Sequence, residues 1–260
     1  MGRKAAREAR GGPPRRTGWR ALGGLVVAAA VVAVLAAAAY GAVMQPRVAA
    51  LPVLVRARLA HYHGGPYVPY AGLPPFLVDA LVATEDRSFW TNPGISFEGI
   101  ARAALVDLER GAFVQGASTI QQQVARDMFL TPKKTIVRKL KGVVLAVIMT
   151  LDFPRTEIIA LYLNEVYLGH GAYGIASAAR SYFGVPPAAL TPAQCALIAG
   201  LPQAPSLYDP LADLSDAKGR QAAVLESMVS AGYITAAQAH ALGRAPLHLV
   251  RAGTVATARG

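Results

Sequence analysis

Cysteine is almost missing. Cys195 stands alone among 260 residues, which excludes an intrachain disulfide framework, and its apolar setting between Ala193 and Ile198 suits a buried thiol better than a nucleophile. Metal-type spacing is lacking as well: His61, His63, His170, His240 and His248 form no zinc pattern with that cysteine. Acidic residues are scarce, 15 against 26 Lys and Arg, leaving a net charge of +11. Such a surplus suits nucleic acid, anionic lipid or a phosphorylated substrate, and charge alone does not choose among them. Alternating apolar and polar runs are few, so a β-rich fold is disfavoured, and no internal repeat or low-complexity segment stands outside one Ala-rich stretch.

That stretch runs from Ala21 to Met44 without a charge. As a helix rising 1.5 Å per residue it reaches about 36 Å, enough to cross a bilayer core. A cleaved signal peptide or a buried core helix is the alternative, and the small residues 36–42 offer a cleavage site, but the run exceeds the usual signal core of about 7 to 15 residues. The first 20 residues hold seven basic side chains against Glu8, and only Arg47, Arg56 and Arg58 follow the helix closely. Basic flanks stay inside, so a single-pass protein of the cell inner (plasma) membrane is predicted, with a cytoplasmic N-terminus and an extracytoplasmic domain. Much of the positive charge then serves topology, and nucleic acid is not expected as a partner. The organisation reads as a basic tail over 1–20, a transmembrane helix over 21–44, a linker over 45–66, one domain over 67–250 and a tail over 251–260. Six prolines and three glycines over 45–75 favour an extended connector. Beyond Pro75 the apolar residues recur at helical spacing, as in Phe76, Leu77, Ala80 and Leu81, so the domain is expected to be mainly α, with helix starts at Thr191 and Thr235.

Three polar clusters bear on chemistry. Glu85 and Asp86 follow the apolar run 76–83, where a carboxylate is either an ordinary surface acid or a proton acceptor at the lip of a cleft. Residues 116–123, Gly-Ala-Ser-Thr-Ile-Gln-Gln-Gln, gather neutral donors suited to sugars or phosphates, or simply form a capped loop. Lys133, Lys134, Arg138, Lys139 and Lys141 supply five cations within nine residues, as a solvated helix face or as a site for a diphosphate.

These segments, in this order, resemble glycosyltransferase family 51, the peptidoglycan glycosyltransferases. The resemblance spans roughly residues 67–250. It is carried by Thr84-Glu85-Asp86-Arg87-Ser88-Phe89, by 116–124 with Arg126, by Arg138-Lys139, by Tyr162-Leu163-Asn164 with Tyr167-Leu168-Gly169, and by 196–202 with Ala204-Pro205-Ser206. It implies an α-rich, lysozyme-like glycosyltransferase domain with a membrane-proximal apolar region, and polymerisation of lipid II with inversion at the donor anomeric carbon. Glu85 takes the role of catalytic base. Arg126, Arg138 and Lys139 compensate the leaving diphosphate, with a divalent cation (Mg or Mn) as a further candidate for that charge. Ser118, Thr119, Gln122, Gln123 and Asn164 are the remaining substrate-binding positions. The implied partners are lipid II, the nascent glycan strand and membrane lipid, with a separate transpeptidase for cross-linking.

Gly142 stands where the family carries its second catalytic glutamate, and as a mid-helix glycine it is expected to interrupt that helix. Other departures are Asn92 for histidine, Ser96 for aspartate, Gln121 for threonine, Asp127 for asparagine and Ala160 for glutamate. Two expectations follow: a polymerase working from Glu85 and its cations, or an impaired member that binds lipid II and serves as a scaffold.

Overall fold

A computed structural model describes residues 17–101, 118–133 and 135–250. The basic residues 1–16, Gly116 and Ala117, Lys134 and the tail 251–260 therefore lie outside the described residues. Among those described, the architecture is mainly α, with a single isolated bridge between Tyr167 and Tyr173 as its β structure.

Helix α1 covers Thr17–Ala49. Its segment Leu25–Ala49 is long and apolar enough to cross a membrane, and Leu25, Val26, Val27, Val31, Val32, Val34 and Leu35 are all exposed. Residues 1–40 and 41–260 form two compact units. In the second unit, α2 (Leu51–His61) occupies the stretch whose prolines predict an extended connector. Pro52 falls in the first helical turn, where its missing N–H removes no intrahelical bond. Leu51, Val55 and Leu59, four residues apart, form the buried stripe that makes this segment a packed helix.

Among the described residues, further helices are α3 (Pro75–Glu85), α4 (Ile120–Phe129), α5 (Ile136–Asp152), α6 (Arg155–Glu165), α7 (Gly174–Phe183), α8 (Pro192–Gly200), α9 (Leu214–Ser230) and α10 (Ala236–Arg244). Thr191 and Thr235 cap α8 and α10 as expected, each through a reciprocal bond set with a glutamine three residues on. α5 runs unbroken through Gly142, so the glycine does not interrupt the helix. The cost of about 0.5 to 1 kcal/mol that a mid-helix glycine carries is small beside the tertiary packing of Leu145, Ala146 and Met149.

Packing divides the unit into two helix groups. α3, α8 and α9 pack against one another, with α10 on α9, while α4 packs on α5 and α6, and α6 also carries α2 and α7. Glu85, at the C-terminal end of α3, lies at the junction: it accepts from Gln123 of α4 and pairs with Arg220 of α9.

Candidate active site

The chain turns sharply after α3 because Asp86 leaves helical geometry, its N–H still bonded to the Val82 carbonyl at 3.1 Å. The two adjacent carboxylates then part. Asp86 turns inward: it is 4% exposed, accepts from Ser88 Oγ at 3.0 Å and Asn92 Nδ2 at 2.9 Å, and receives the Ile120 N–H of the first turn of α4 at 3.3 Å. It fixes where α4 begins. Glu85 stays at the junction, its side chain 14% exposed. Gln123 Nε2 donates to Glu85 Oε2 at 2.8 Å, and Tyr162 Oη in turn donates to Gln123 Oε1 at 3.2 Å. Arg220 Nη2 lies 3.7 Å from Glu85 Oε1. Burial pushes the Glu85 carboxyl above the usual carboxylate range, and Gln123, Arg220 and Arg126 pull it part of the way back. A carboxylate made more basic by burial and oriented by a hydrogen bond has the property a general base needs.

Asn92, Ser96 and Gln121, expected as separate departures from the family pattern, belong to one network. Asn92 donates to Asp86, accepts from the Gly94 N–H at 2.8 Å and from Gln121 Nε2 at 3.2 Å, and its carbonyl accepts from Arg155. Ser96 Oγ shares a hydrogen bond with Ser88 Oγ at 2.7 Å. Gly94 has φ +98°, and a Cβ there would stand 2.6 Å from the Ala146 carbonyl, so glycine is required where this loop meets α5.

Thr119 is fully buried; its Oγ1 donates to the Gly94 carbonyl at 2.9 Å, and it forms a reciprocal cap with Gln122. Thr119 is thus committed to positioning α4. Asn164 is 1% exposed and bonds Val68 N at 2.8 Å, Val68 O at 2.7 Å and Ala160 O at 2.7 Å. It ties the segment after α2 to α6 and lines neither of the two cavities described next.

The first cavity, about 100 Å³, brings together Ser118, Gln122, Arg126, Arg138 and Lys139, with Gly142 in its wall. The second, about 450 Å³, shares Arg126, Leu130 and Arg138 with it and adds Arg58, Asp127, Thr131 and Pro132. Glu85 is on neither wall; Arg126, whose charge acts on it, is the link. Arg126 is held by Asp127 at 2.6 and 2.8 Å. Beside the cations, Ile136, Val137 and Leu140 of α5 are 80%, 61% and 61% exposed, so one helix presents apolar side chains next to Arg138 and Lys139.

Three groups carry no signal in the sequence, and a fourth, Tyr162, stands in a quoted motif without an assigned role. Arg220 pairs with Glu85 from α9, and Tyr162 orients Gln123. Arg58 reaches the larger cavity from α2. Glu165 is 1% exposed with no hydrogen-bond partner for either carboxylate oxygen among the described residues, and burial pushes it well above the usual range. No local signal marks Arg220, Arg58 or Glu165, because each acts across a long sequence separation. The donor set does not fit a divalent cation: cations dominate the cavity walls, and the described residues hold no group of three metal-ligating side chains.

A family model described as Transglycosylase matches residues 55–229. Penicillin-binding protein 1A of Escherichia coli is 47% identical over 64% of this chain, which covers 20% of that protein. The Aquifex aeolicus protein of the same name is 44% identical over 66% of the chain, which covers 24% of it. A Cupriavidus necator protein named as a candidate transglycosylase is 44% identical over 68% of this chain and 76% of its own length. The chain thus spans about a fifth of the penicillin-binding proteins and most of the shorter relative. Among solved structures, penicillin-binding protein 1A of Haemophilus influenzae aligns over 72% of this chain and 18% of that one, at 26% identity and a TM-score of 0.44.

Proposed function

Because the chain belongs to the transglycosylase family, we propose that it is a peptidoglycan glycosyltransferase that polymerises lipid II from the outer face of the plasma membrane. The observation that carries this reading is Glu85, semi-buried, held by Gln123 and within the electrostatic reach of Arg126, which itself lines a cationic cavity.

In this mechanism Glu85 accepts the proton of the acceptor sugar's 4-hydroxyl as its oxygen bonds to the donor anomeric carbon with inversion. The bond from that carbon to the lipid diphosphate breaks, and the electron pair leaves on the diphosphate oxygen. A positioned base is worth about 10²- to 10⁴-fold in rate. Arg126, Arg138 and Lys139 stabilise the departing charge, the more so because Asp127 presets the Arg126 guanidinium. Ser118 and Gln122 on the same wall offer neutral donors to sugar or phosphate. The exposed Ile136, Val137 and Leu140 suit the lipid tail, and the apolar helix over Leu25–Ala49 suits an anchor with the N-terminus inside.

A second reading, a lipid II-binding scaffold without polymerase activity, is favoured by Gly142, which brings no side chain to a wall where the family resemblance expects a glutamate. Labelled lipid II incubated with detergent-solubilised protein separates the two. Glycan polymer sensitive to moenomycin supports the enzyme, whereas saturable binding without polymer supports the scaffold.

A further inference from the structure

The larger cavity draws one of its three guanidiniums from α2. Arg58 Nη1 donates to the Asp127 carbonyl at 2.8 Å and lies 3.6 Å from Met128 Sδ. Its guanidinium carbon sits 5.8 and 5.7 Å from the ring centres of Tyr62 and Tyr173, which stack on each other at 3.9 Å. These contacts pin the group at the end of α4, on a helix anchored by Leu51, Val55 and Leu59. Pinning leaves donors over: Arg58 Nε is buried without a partner among the described residues, and so is Arg138 Nε. Asp127, the carboxylate on this wall, has both oxygens engaged by Arg126. Glu165, close enough to feel Arg58, Arg126 and Asp127, is sealed off with its oxygens unpartnered. Three permanent cations thus share one cavity with a single, already occupied carboxylate, an arrangement that favours a multiply charged anion.

We propose that Arg58 is a substrate-binding residue, a third guanidinium that with Arg126 and Arg138 holds the diphosphate of the lipid-linked substrate. This rests on the transglycosylase reading and extends its binding site to α2, outside the motif residues.

The test uses the full chain in detergent micelles with inorganic pyrophosphate as probe, comparing wild type, Arg58→Gln, Arg58→Lys and Arg56→Ala. Arg56 shares α2 but lies over the Tyr67 ring, 4.4 Å from its centre, away from the cavity. Arg58→Gln is expected to weaken pyrophosphate binding about tenfold and to raise the lipid II KM by a similar factor while kcat changes less than twofold. Arg58→Lys recovers part of the loss, and Arg56→Ala matches wild type. On the unaltered protein, pyrophosphate should protect Arg58 but not Arg56 from phenylglyoxal, read by peptide mass spectrometry, so the test stands even if a variant misfolds. Pyrophosphate affinity within twofold of wild type in folded Arg58→Gln, an equal loss in Arg56→Ala, or no protection of Arg58 would each overturn the proposal. Protein that binds pyrophosphate through Arg58 yet makes no polymer would uphold it while sinking the polymerase reading.

Discussion

Placing a glutamate at position 142 is a perturbation whose outcome follows from the packing around Gly142. An added Cβ would meet Leu130 Cδ1 at 3.4 Å, ordinary contact, so the helix has room for a side chain directed to the cavity wall it already lines. Replacing a mid-helix glycine gains about 0.5 to 1 kcal/mol from backbone entropy. A carboxylate about 5 Å from the Arg126 or Arg138 guanidinium gains about 3 kcal/mol at an effective dielectric near 20, reduced to about 1 kcal/mol by solvent in an open cavity. Partial burial of the new charge offsets some of this, leaving a net gain of about 1 kcal/mol. For a domain of this size that raises Tm by roughly 2 to 4 °C. If the 142 position assists departure of the diphosphate, Gly142→Glu also raises kcat by about tenfold or more. The assay pairs thermal unfolding in detergent with lipid II polymerisation. A lowered Tm together with unchanged polymer yield would refute both the packing argument and the view that Gly142 limits the chemistry.

Two further outcomes concern buried carboxyls. Gln123→Leu removes a hydrogen bond that lowers the Glu85 pKa, so the acid limb of the kcat/KM profile moves to higher pH and kcat falls about tenfold, given about 1 to 1.5 kcal/mol for the bond; an unmoved limb contradicts the assignment. Glu165 holds its proton more tightly folded than unfolded, so its stabilising contribution is fully present below the unfolded pKa and is lost as pH rises through the folded one. Glu165→Gln should therefore leave Tm unchanged near pH 4 and raise it at pH 8, and a Tm difference independent of pH counts against a buried neutral acid.

Local chemistry explains what the sequence made legible. The caps at Thr191 and Thr235 are written within four residues each, and the spacing of apolar residues after Pro75 marks α3. Proline content predicts an extended connector, whereas Pro52 occupies a permitted first-turn position and the Leu51, Val55, Leu59 stripe has a surface on α6 to bury against. Ser118, Gln122, Arg126, Arg138 and Lys139 share a wall because α4 and α5 pack together, and Gln123 joins Glu85 because α4 also meets the end of α3. Thr119 and Asn164 belong to the same motifs yet spend their side chains on the backbone, a distinction that only hydrogen-bond geometry reveals. Likewise Asn92, Ser96 and Gln121 read as separate departures along the chain but form one set around Asp86 and Ser88.

The most direct test of the central claim is polymerisation of labelled lipid II by wild-type protein beside Glu85→Gln, a change that keeps the shape of the side chain while removing its basicity. Moenomycin-sensitive polymer from wild type, falling by about 10²-fold or more in a variant that still melts like the parent, is the result predicted here. Equal polymer from both proteins, or none from folded wild type, would contradict Glu85 as the base of a working polymerase.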